Sequence, residues 1–225
     1  MLSDPVAVLL GILTILIFMA IFTLLRTMHS AFIKRFEPLL KAKHRPLLQL
    51  KQSYYIPFHY KGKNFTLYEI NYPTELKGKT VYNNYLFLQT ETKSDLFLGI
   101  TSKETRQKVK NILAETLQSA IDPVNEQREE VIIPGFLTGL TIQTNHPQKA
   151  RRFLQVKEVQ NILNNLKVPY SHADYIIPVF IDPGSITLDY RLTAPCLNEL
   201  INNPRTIKKH VKTLYYLAEE LEKVS

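Results

Sequence analysis

The sequence predicts an α+β protein, with an N-terminal transmembrane helix followed by a mostly antiparallel sheet and about three amphipathic helices. An uncharged apolar run at residues 6–25 predicts the membrane helix. Alternating strand patterns occur outside a strict β-α order, which favours an antiparallel sheet. Later segments repeat apolar residues at helical spacing. We therefore expect a transmembrane anchor at 1–25, a basic juxtamembrane neck at 26–51 and a cytosolic domain at 52–225.

The composition of the chain narrows the kinds of protein that it can be. Its 225 residues include 28 Lys and Arg, 20 Asp and Glu, 1 Cys and 7 Gly, and the formal net charge is +8. A single Cys excludes an internal disulfide framework and a Cys-rich zinc module. So few glycines leave little room for Gly-rich phosphate-binding loops. The positive charge predicts an acidic partner, namely nucleic acid, a membrane surface or an anionic substrate.

Residues 6–25 have the length and composition of one membrane-spanning helix. At 1.5 Å per residue the run reaches about 30 Å, the thickness of the hydrocarbon core. Its many Leu, Ile, Val and Phe residues favour insertion by about 4 to 8 kcal/mol. A cleaved signal peptide is disfavoured, because residues 1–5 contain no Lys or Arg and no small-residue cleavage pattern follows. A buried helix of a soluble protein rarely continues so far without a polar face.

The residues after this run carry a concentrated positive charge. The basic residues within the next twenty positions are Arg26, Lys34, Arg35, Lys41, Lys43 and Arg45. None precedes the run, so the positive-inside rule places the N-terminus outside and the C-terminal domain in the cytoplasm. The lone Cys196 is consistent with that reducing compartment. Because such clusters attract anionic lipid, these six residues are the candidate headgroup contacts; the alternative is that they only fix the topology.

The first half of the domain is predicted to consist of strands. A β-hairpin is expected at 54–70, with Gly62-Lys63 as a two-residue turn. The resulting register pairs Tyr60 with Phe65, Phe58 with Leu67, and Ile56 with Glu69. Large apolar side chains then share one face, and His59 and Thr66 lie on the other. Two further strands, at 81–89 and 96–101, are expected to reverse direction at 90–95.

The later part of the domain is predicted to mix helices with a second hairpin. Helices are expected at 103–121, from Pro147 to about 166, near 196–201 and at 205–223, with strands at 131–133 and 140–144. The predicted core stripes are Ala150, Phe153, Leu154, Val159, Ile162, Leu163 and Leu166, and then Ile207, Val211, Leu214, Leu217 and Leu221. A hairpin at 175–192 should have a bulged or wide loop, since Pro183-Gly184 suits a type I or II turn.

The sequence contains no assembled catalytic motif. It has no nucleophile elbow, no P-loop and no dinucleotide-binding fingerprint. His172 and Asp174 lie two residues apart before a strand, which would let the Asp orient the His. Cys196 follows a proline at a predicted helix start, where a thiolate is stabilised. The alternatives are a solvated loop for the pair and a structural thiol for Cys196. No metal site and no cofactor are indicated.

These observations together predict a single-pass membrane protein with a non-catalytic cytosolic interaction domain. Its expected partners are the lipid bilayer and a protein at the membrane. Two alternatives stay open: a membrane-proximal enzyme whose site only the fold assembles, and a peripheral module that binds anionic lipid. Residues 26–110 hold the whole positive excess, so that part is expected to face the anionic inner leaflet.

Nucleic acid is not an expected partner. The hairpin stretch 60–65 mixes basic and aromatic residues, as stacking platforms do. The predicted register nevertheless places Tyr60 and Phe65 on the core face and leaves the two lysines of the turn in solvent. The second basic stretch, Lys208, Lys209, His210 and Lys212, is interpreted as the solvated side of the last helix.

Overall fold

The computed structural model describes residues 5–48, 53–76, 79–102, 129–131, 140–170, 173–190, 200 and 202–224. They form a mixed α+β fold with a large antiparallel sheet, which confirms that part of the predicted fold class. The helices among them are α1 Pro5–Lys34, α2 Glu37–Leu40, α3 Pro147–Gln155, α4 Lys157–Asn164 and α5 Thr206–Val224. Within these ranges no helix meets the combined length and hydropathy expected of a membrane-spanning segment.

Nine strands make up the large sheet, in the order β1-β2-β3-β4-β11-β10-β5-β7-β6. They are β1 Arg45–Pro46, β2 Tyr54–Tyr60, β3 Lys63–Leu76, β4 Lys79–Glu91, β5 Leu98–Ser102, β6 Glu129–Glu130, β7 Leu140–Thr144, β10 Val179–Asp182 and β11 Ser185–Asp189. All neighbouring pairs are antiparallel. A separate two-stranded sheet pairs β8 Lys167–Tyr170 with β9 Ala173–Ile176.

The first hairpin exists, but its predicted register is wrong. Its turn is Lys61-Gly62, and Phe58 lies opposite Phe65. Lys61 and Gly62 have φ values of 48° and 82°, which is the type I′ geometry that matches the twist of the flanking strands. Moving the turn by one residue shifts the β3 partner of each β2 residue by two positions. The same side chains therefore stay on the buried face, as predicted. Ile56, Phe58, Phe65 and Leu67 are all buried.

The chain reverses direction between β4 and β5 as predicted, but the two antiparallel strands are not neighbours in the sheet. The β10–β11 hairpin lies between them in the sheet. Residues 92–94 instead bond the tip of that hairpin: the Thr92 N–H donates to the Gly184 carbonyl, and the Gly184 N–H donates to the Ser94 carbonyl, both at 3.0 Å. The hairpin between β4 and β5 therefore comes from a segment about ninety residues further along the chain.

The second hairpin also differs from its prediction. Asp182 lies directly opposite Ser185, so the loop is a tight two-residue turn and the wide loop is wrong. Gly184 takes a φ of 87° after Pro183, which is the combination that a type II turn requires. The single predicted strand at 175–181 is divided into β9 and β10 on either side of Pro178, whose ring nitrogen cannot donate to a ladder.

The predicted helix after Pro147 is broken into α3 and α4. Val156 has an extended backbone, with φ −63° and ψ 123°, although its stripe of apolar residues continues across the break. All of the stripe except half-buried Ile162 is buried, as are the five stripe residues of α5. The predicted helix at 103–121 lies outside the described residues, as do most of the segment 196–201 and residues 132–133.

Candidate membrane-facing surface

Helix α1 has an apolar surface that the domain does not cover. Every side chain described between residues 8 and 21 is exposed. The large apolar ones range from 48% exposed at Val8 to 71% at Phe18. The hydroxyl of Thr14 donates to the Leu10 carbonyl at 2.8 Å, so this polar group is satisfied within the helix, as an apolar medium requires.

The C-terminal end of α1 is docked on the domain. Ile33 is fully buried, and so is Phe36 immediately after the helix. Phe32 packs edge-on against Phe36, with ring centroids 5.5 Å apart. Helix α1 also contacts β2. The same helix therefore has an uncovered apolar part and an end that is anchored in the domain core.

The part of the neck that follows α1 is held in a fixed shape by the carboxylate group of Glu37. The Glu37 Oε1 atom accepts the His44 backbone N–H at 2.8 Å and lies 2.5 Å from His44 Nδ1. The backbone hydrogen bond from His44 is the main reason that the pKa of Glu37 lies below its ordinary value. His44 also packs edge-on against Tyr54, the first residue of β2, at 5.4 Å.

The neck exposes most of the basic residues predicted to contact lipid headgroups. Five of the six side chains are exposed: Lys34, Arg35, Lys41, Lys43 and Arg45. Arg26 lies within α1, but its side chain is outside the described part. No ion pair joins any of the five to an acidic side chain among the residues described. Their charges are therefore available to an external anion.

The three predicted catalytic candidates are not brought together by the described structure. His172 and Cys196 lie outside the described residues. Asp174 lies in β9, opposite Pro169, and its side chain is not described. Where the chain is described, no group of three His, Cys, Asp or Glu residues is placed to hold a metal ion. The catalytic roles stay untested predictions.

Two buried titratable groups with strongly shifted pKa values were not predicted. Glu69 is 1% exposed, and neither of its carboxylate oxygens has a hydrogen-bond partner within the described ranges. Burial raises its pKa to about 8. The sequence carries a signal for this position, because Glu69 continues the i, i+2 series of the core-facing Phe65 and Leu67. Both oxygens are enclosed, so they make no surface site.

His210 is the second buried group, which corrects its placement on a solvated helix face. It is 3% exposed, and its Nδ1 atom lies 2.9 Å from the Tyr190 hydroxyl. Burial lowers its pKa to about 4, with the neighbouring Lys209 charge acting in the same direction. The other members of that stretch, Lys208, Lys209 and Lys212, are exposed as predicted.

Of the two lysines of the first hairpin turn, Lys61 is exposed as predicted, whereas the interpretation of Lys63 as a simple solvated residue is wrong. Lys63 Nζ lies 2.8 Å from Glu222 Oε1 and 3.2 Å from Glu219 Oε1. Lys61 Nζ lies 5.2 Å from the ring centroid of Tyr215 and 5.3 Å from that of Tyr216. These contacts fix the hairpin to α5, and Lys61 occupies the ring faces that base stacking would need.

The outer side of the sheet carries a row of aromatic residues. Tyr55, Tyr68 and Phe87 lie opposite one another on β2, β3 and β4, and each is half-buried. Tyr55 and Tyr68 are stacked, with ring centroids 6.2 Å apart. Aromatic residues of this kind are enriched at protein–protein interfaces.

Comparison with known proteins identifies no family for this chain. No family model matches it, and no curated protein sequence matches it. Among solved structures it is similar to the crystal structure of the mycobacterial trehalose monomycolate transport factor A, TtfA, with a TM-score of 0.42 and 7% identity. The match covers 87% of this chain and 91% of that chain. Similarity at this level carries no argument about function.

Proposed function

We propose that this chain is a single-pass membrane protein, with its N-terminus outside and its C-terminal α+β domain in the cytoplasm. Helix α1 is the anchor, the basic neck contacts anionic lipid headgroups, and the domain binds a protein partner at the membrane. The observation that carries the proposal is the uncovered apolar surface of α1 at residues 8–21, which five exposed basic side chains follow later in the chain, between Lys34 and Arg45. An exposed apolar surface that extends over residues 8–21 marks a contact with a membrane or with another protein.

The order of these features supports the stated orientation. In the sequence, an uncharged run of membrane-spanning length is followed by a cluster of basic residues, which the positive-inside rule assigns to the cytoplasmic side. The neck geometry then joins α1 to the domain without a long flexible linker, because Glu37 and His44 close it against β2. A domain held in this way stays close to the bilayer surface.

The interaction role of the domain is supported by its outer sheet face. The stacked, half-buried pair of Tyr55 and Tyr68 offers aromatic contact area on a rigid scaffold. The two described groups with strongly perturbed pKa values, Glu69 and His210, are both enclosed in the core. They therefore fit a structural role better than contact with a substrate.

The anchor is tested by placing charges in the apolar run. Arg at both Leu13 and Ile17 costs about 5 to 7 kcal/mol of insertion free energy, comparable to the whole favourable term of the run. We expect the natural chain to stay with membranes after alkaline carbonate washing and the double-Arg variant to be released. A Leu13→Val, Ile17→Val variant is the matched control and should behave as the natural chain. Release of the natural chain by carbonate would contradict the anchor.

Orientation and partner binding need separate measurements. A C-terminal tag should be protected from added protease in intact cells and cleaved after lysis. Chemical cross-linking in native membranes should trap the chain in an adduct heavier than the monomer, and Tyr55→Ala with Tyr68→Ala should reduce that adduct. A chain that stays monomeric under cross-linking in its own membrane would contradict the interaction role.

A further inference from the structure

We infer that the start of helix α5 and the residue before it supply a second part of the membrane-facing surface, in which Arg205, Lys208 and Lys209 contact the same anionic leaflet as the neck. This inference rests on the proposed function, because it requires a membrane at the neck. The two basic groups are more than 150 residues apart in sequence. The fold brings these two groups to the same end of the domain.

The C-terminal half of α5 lies at the tip of the first hairpin. Lys63, at the start of β3, binds Glu222 at 2.8 Å and Glu219 at 3.2 Å. The Glu222 carboxylate also accepts the Lys93 backbone N–H at 3.3 Å. The C-terminal end of α5 therefore lies at the end of the sheet where the first hairpin turns, away from the neck.

The N-terminal half of α5 lies level with the neck. His210 contacts the Tyr190 hydroxyl at 2.9 Å, and the Tyr190 N–H donates to the Leu86 carbonyl at 3.1 Å. Leu86 lies opposite Glu69, and Glu69 lies opposite Tyr54. Tyr54 is the residue that packs against His44 of the neck. One row across the sheet thus connects the neck to His210.

The lengths of β3 and α5 agree with the placement of the start of α5 at the neck end of the domain. From Lys63 to Glu69 the strand advances about 20 Å. From Glu222 to His210 the helix advances about 18 Å. Helix α5 therefore runs alongside the strands with its start towards the neck. Residues 205–209 precede His210 and lie up to about 8 Å further in that direction. Helix α2 of the neck also contacts α5.

Charge differs between the two ends of the domain. At the neck end, Arg205, Lys208 and Lys209 are exposed, and in the described part of the chain none forms an ion pair with an acidic side chain. Three lysines at the tip end have carboxylate partners, namely Lys63 with Glu222, Lys149 with Asp95 and Lys223 with Glu220. Exposed Lys61 and Lys93 at that end form no ion pair with an acidic side chain in the described part of the chain. The exposed basic side chains of the neck and of the start of α5 thus lie together on the side that the anchor holds against the bilayer.

A bilayer fits this surface better than a peptide or a nucleic acid strand. The neck group and the α5 group are on different elements at one end of the domain, about three strand spacings, or roughly 15 Å, apart across the sheet. A planar anionic leaflet contacts both groups at once, and each lysine near such a surface adds about 1 kcal/mol. The membrane helix keeps that leaflet permanently within reach.

The inference is tested by acetylation footprinting of the full chain in vesicles. The chain is reconstituted in phosphatidylcholine alone and in an equimolar mixture with phosphatidylserine, and the lysine acetylation rates are measured by mass spectrometry. Lys208 and Lys209 should react about fivefold more slowly on the anionic vesicles at low salt, the equivalent of about 1 kcal/mol per lysine. Lys93 and Lys149, at the tip end, are the controls and should react equally on both.

A pair of variants tests whether the two basic groups act on one surface. Lys208→Gln with Lys209→Gln should increase the acetylation of Lys41 and Lys43 on the anionic vesicles, because the domain is held less firmly. The matched control removes the same charge at the tip end, by Lys93→Gln with Lys149→Gln, and should leave the neck rates unchanged.

The possible failures are distinguishable. Equal reactivity of Lys208 and Lys209 on both vesicles overturns the inference; if Lys41 and Lys43 are still protected, the proposed function stands without it. If the chain does not remain in the vesicles, or the neck lysines are also unprotected, the proposed function itself fails. Protection that appears only when RNA or an acidic peptide is added also overturns the inference and assigns the surface to that partner.

Discussion

The buried carboxyl group of Glu69 makes the stability of this protein depend on pH in an unusual direction. Its pKa rises from 4.5 to about 8 on burial, so in the folded chain it is protonated at neutral pH. Between these two values the carboxyl ionises only when the chain unfolds, which favours the unfolded state increasingly as the pH rises. Above about pH 8 both states are ionised, and the loss is complete.

The size of this effect follows from the two pKa values. At about 1.4 kcal/mol per pH unit, the full loss is about 5 kcal/mol, and about 2 to 3 kcal/mol of it falls between about pH 5 and pH 7. Glu69→Gln keeps the shape of the side chain and removes its ionisation. The stability of this variant relative to the natural chain should therefore rise by those amounts as the pH increases.

The assay is urea unfolding of the full chain in a neutral detergent, followed by circular dichroism at several pH values. The difference between variant and natural chain is the quantity to plot, because the opposite contribution of His210 between about pH 4 and 6.5 cancels in it. Glu158→Gln, at an exposed position, is the matched control and should show no such trend. A Glu69→Gln difference that stays constant from about pH 5 to pH 8 would refute the reasoning.

Two further substitutions test the elements that set the architecture. Tyr190→Phe removes the hydroxyl that faces the buried His210 Nδ1 atom and should cost about 1 to 3 kcal/mol of unfolding free energy; exposed Tyr216→Phe is the control, and an unchanged urea midpoint would argue against this hydrogen bond. Gly184→Ala places a Cβ at a φ of 87° and should cost about 1 kcal/mol, whereas Gly184→Asn, which tolerates this conformation, should cost less. Equal midpoints for the Ala and Asn variants would contradict the assigned turn geometry.

Local sequence patterns were sufficient to predict much of the fold. The alternate placement of the large apolar residues Ile56 and Phe58 determines which face of the first hairpin is buried, whatever the register. The apolar stripe of α5 and the bounds of β7 were likewise predictable, because each depends on residues within one short segment. The break between α3 and α4 at Val156 was not predictable from the sequence. The stripe of apolar residues continues across this break, and only the backbone angles of Val156 depart from those of a helix.

Contacts between distant segments were not predictable. Local turn residues at 90–95 predicted the reversal of the chain correctly, but not that the β10–β11 hairpin bonds to that segment and separates β4 from β5. The exposure of His210 was predicted wrongly for a similar reason. Its helical position borders the apolar stripe, and only the packing of Tyr190 against it decides that it is buried.

The sequence by itself determined the apolar segment, the basic neck and the antiparallel α+β class, because hydropathy and short-range periodicity are properties of adjacent residues. Tertiary structure alone decided where charge lies on the molecule. By sequence, the positive excess belongs to residues 26–110; in space, the start of α5 lies at the same end of the sheet as the neck. The physical reason is that charge acts through distance in space, and the sheet register sets that distance.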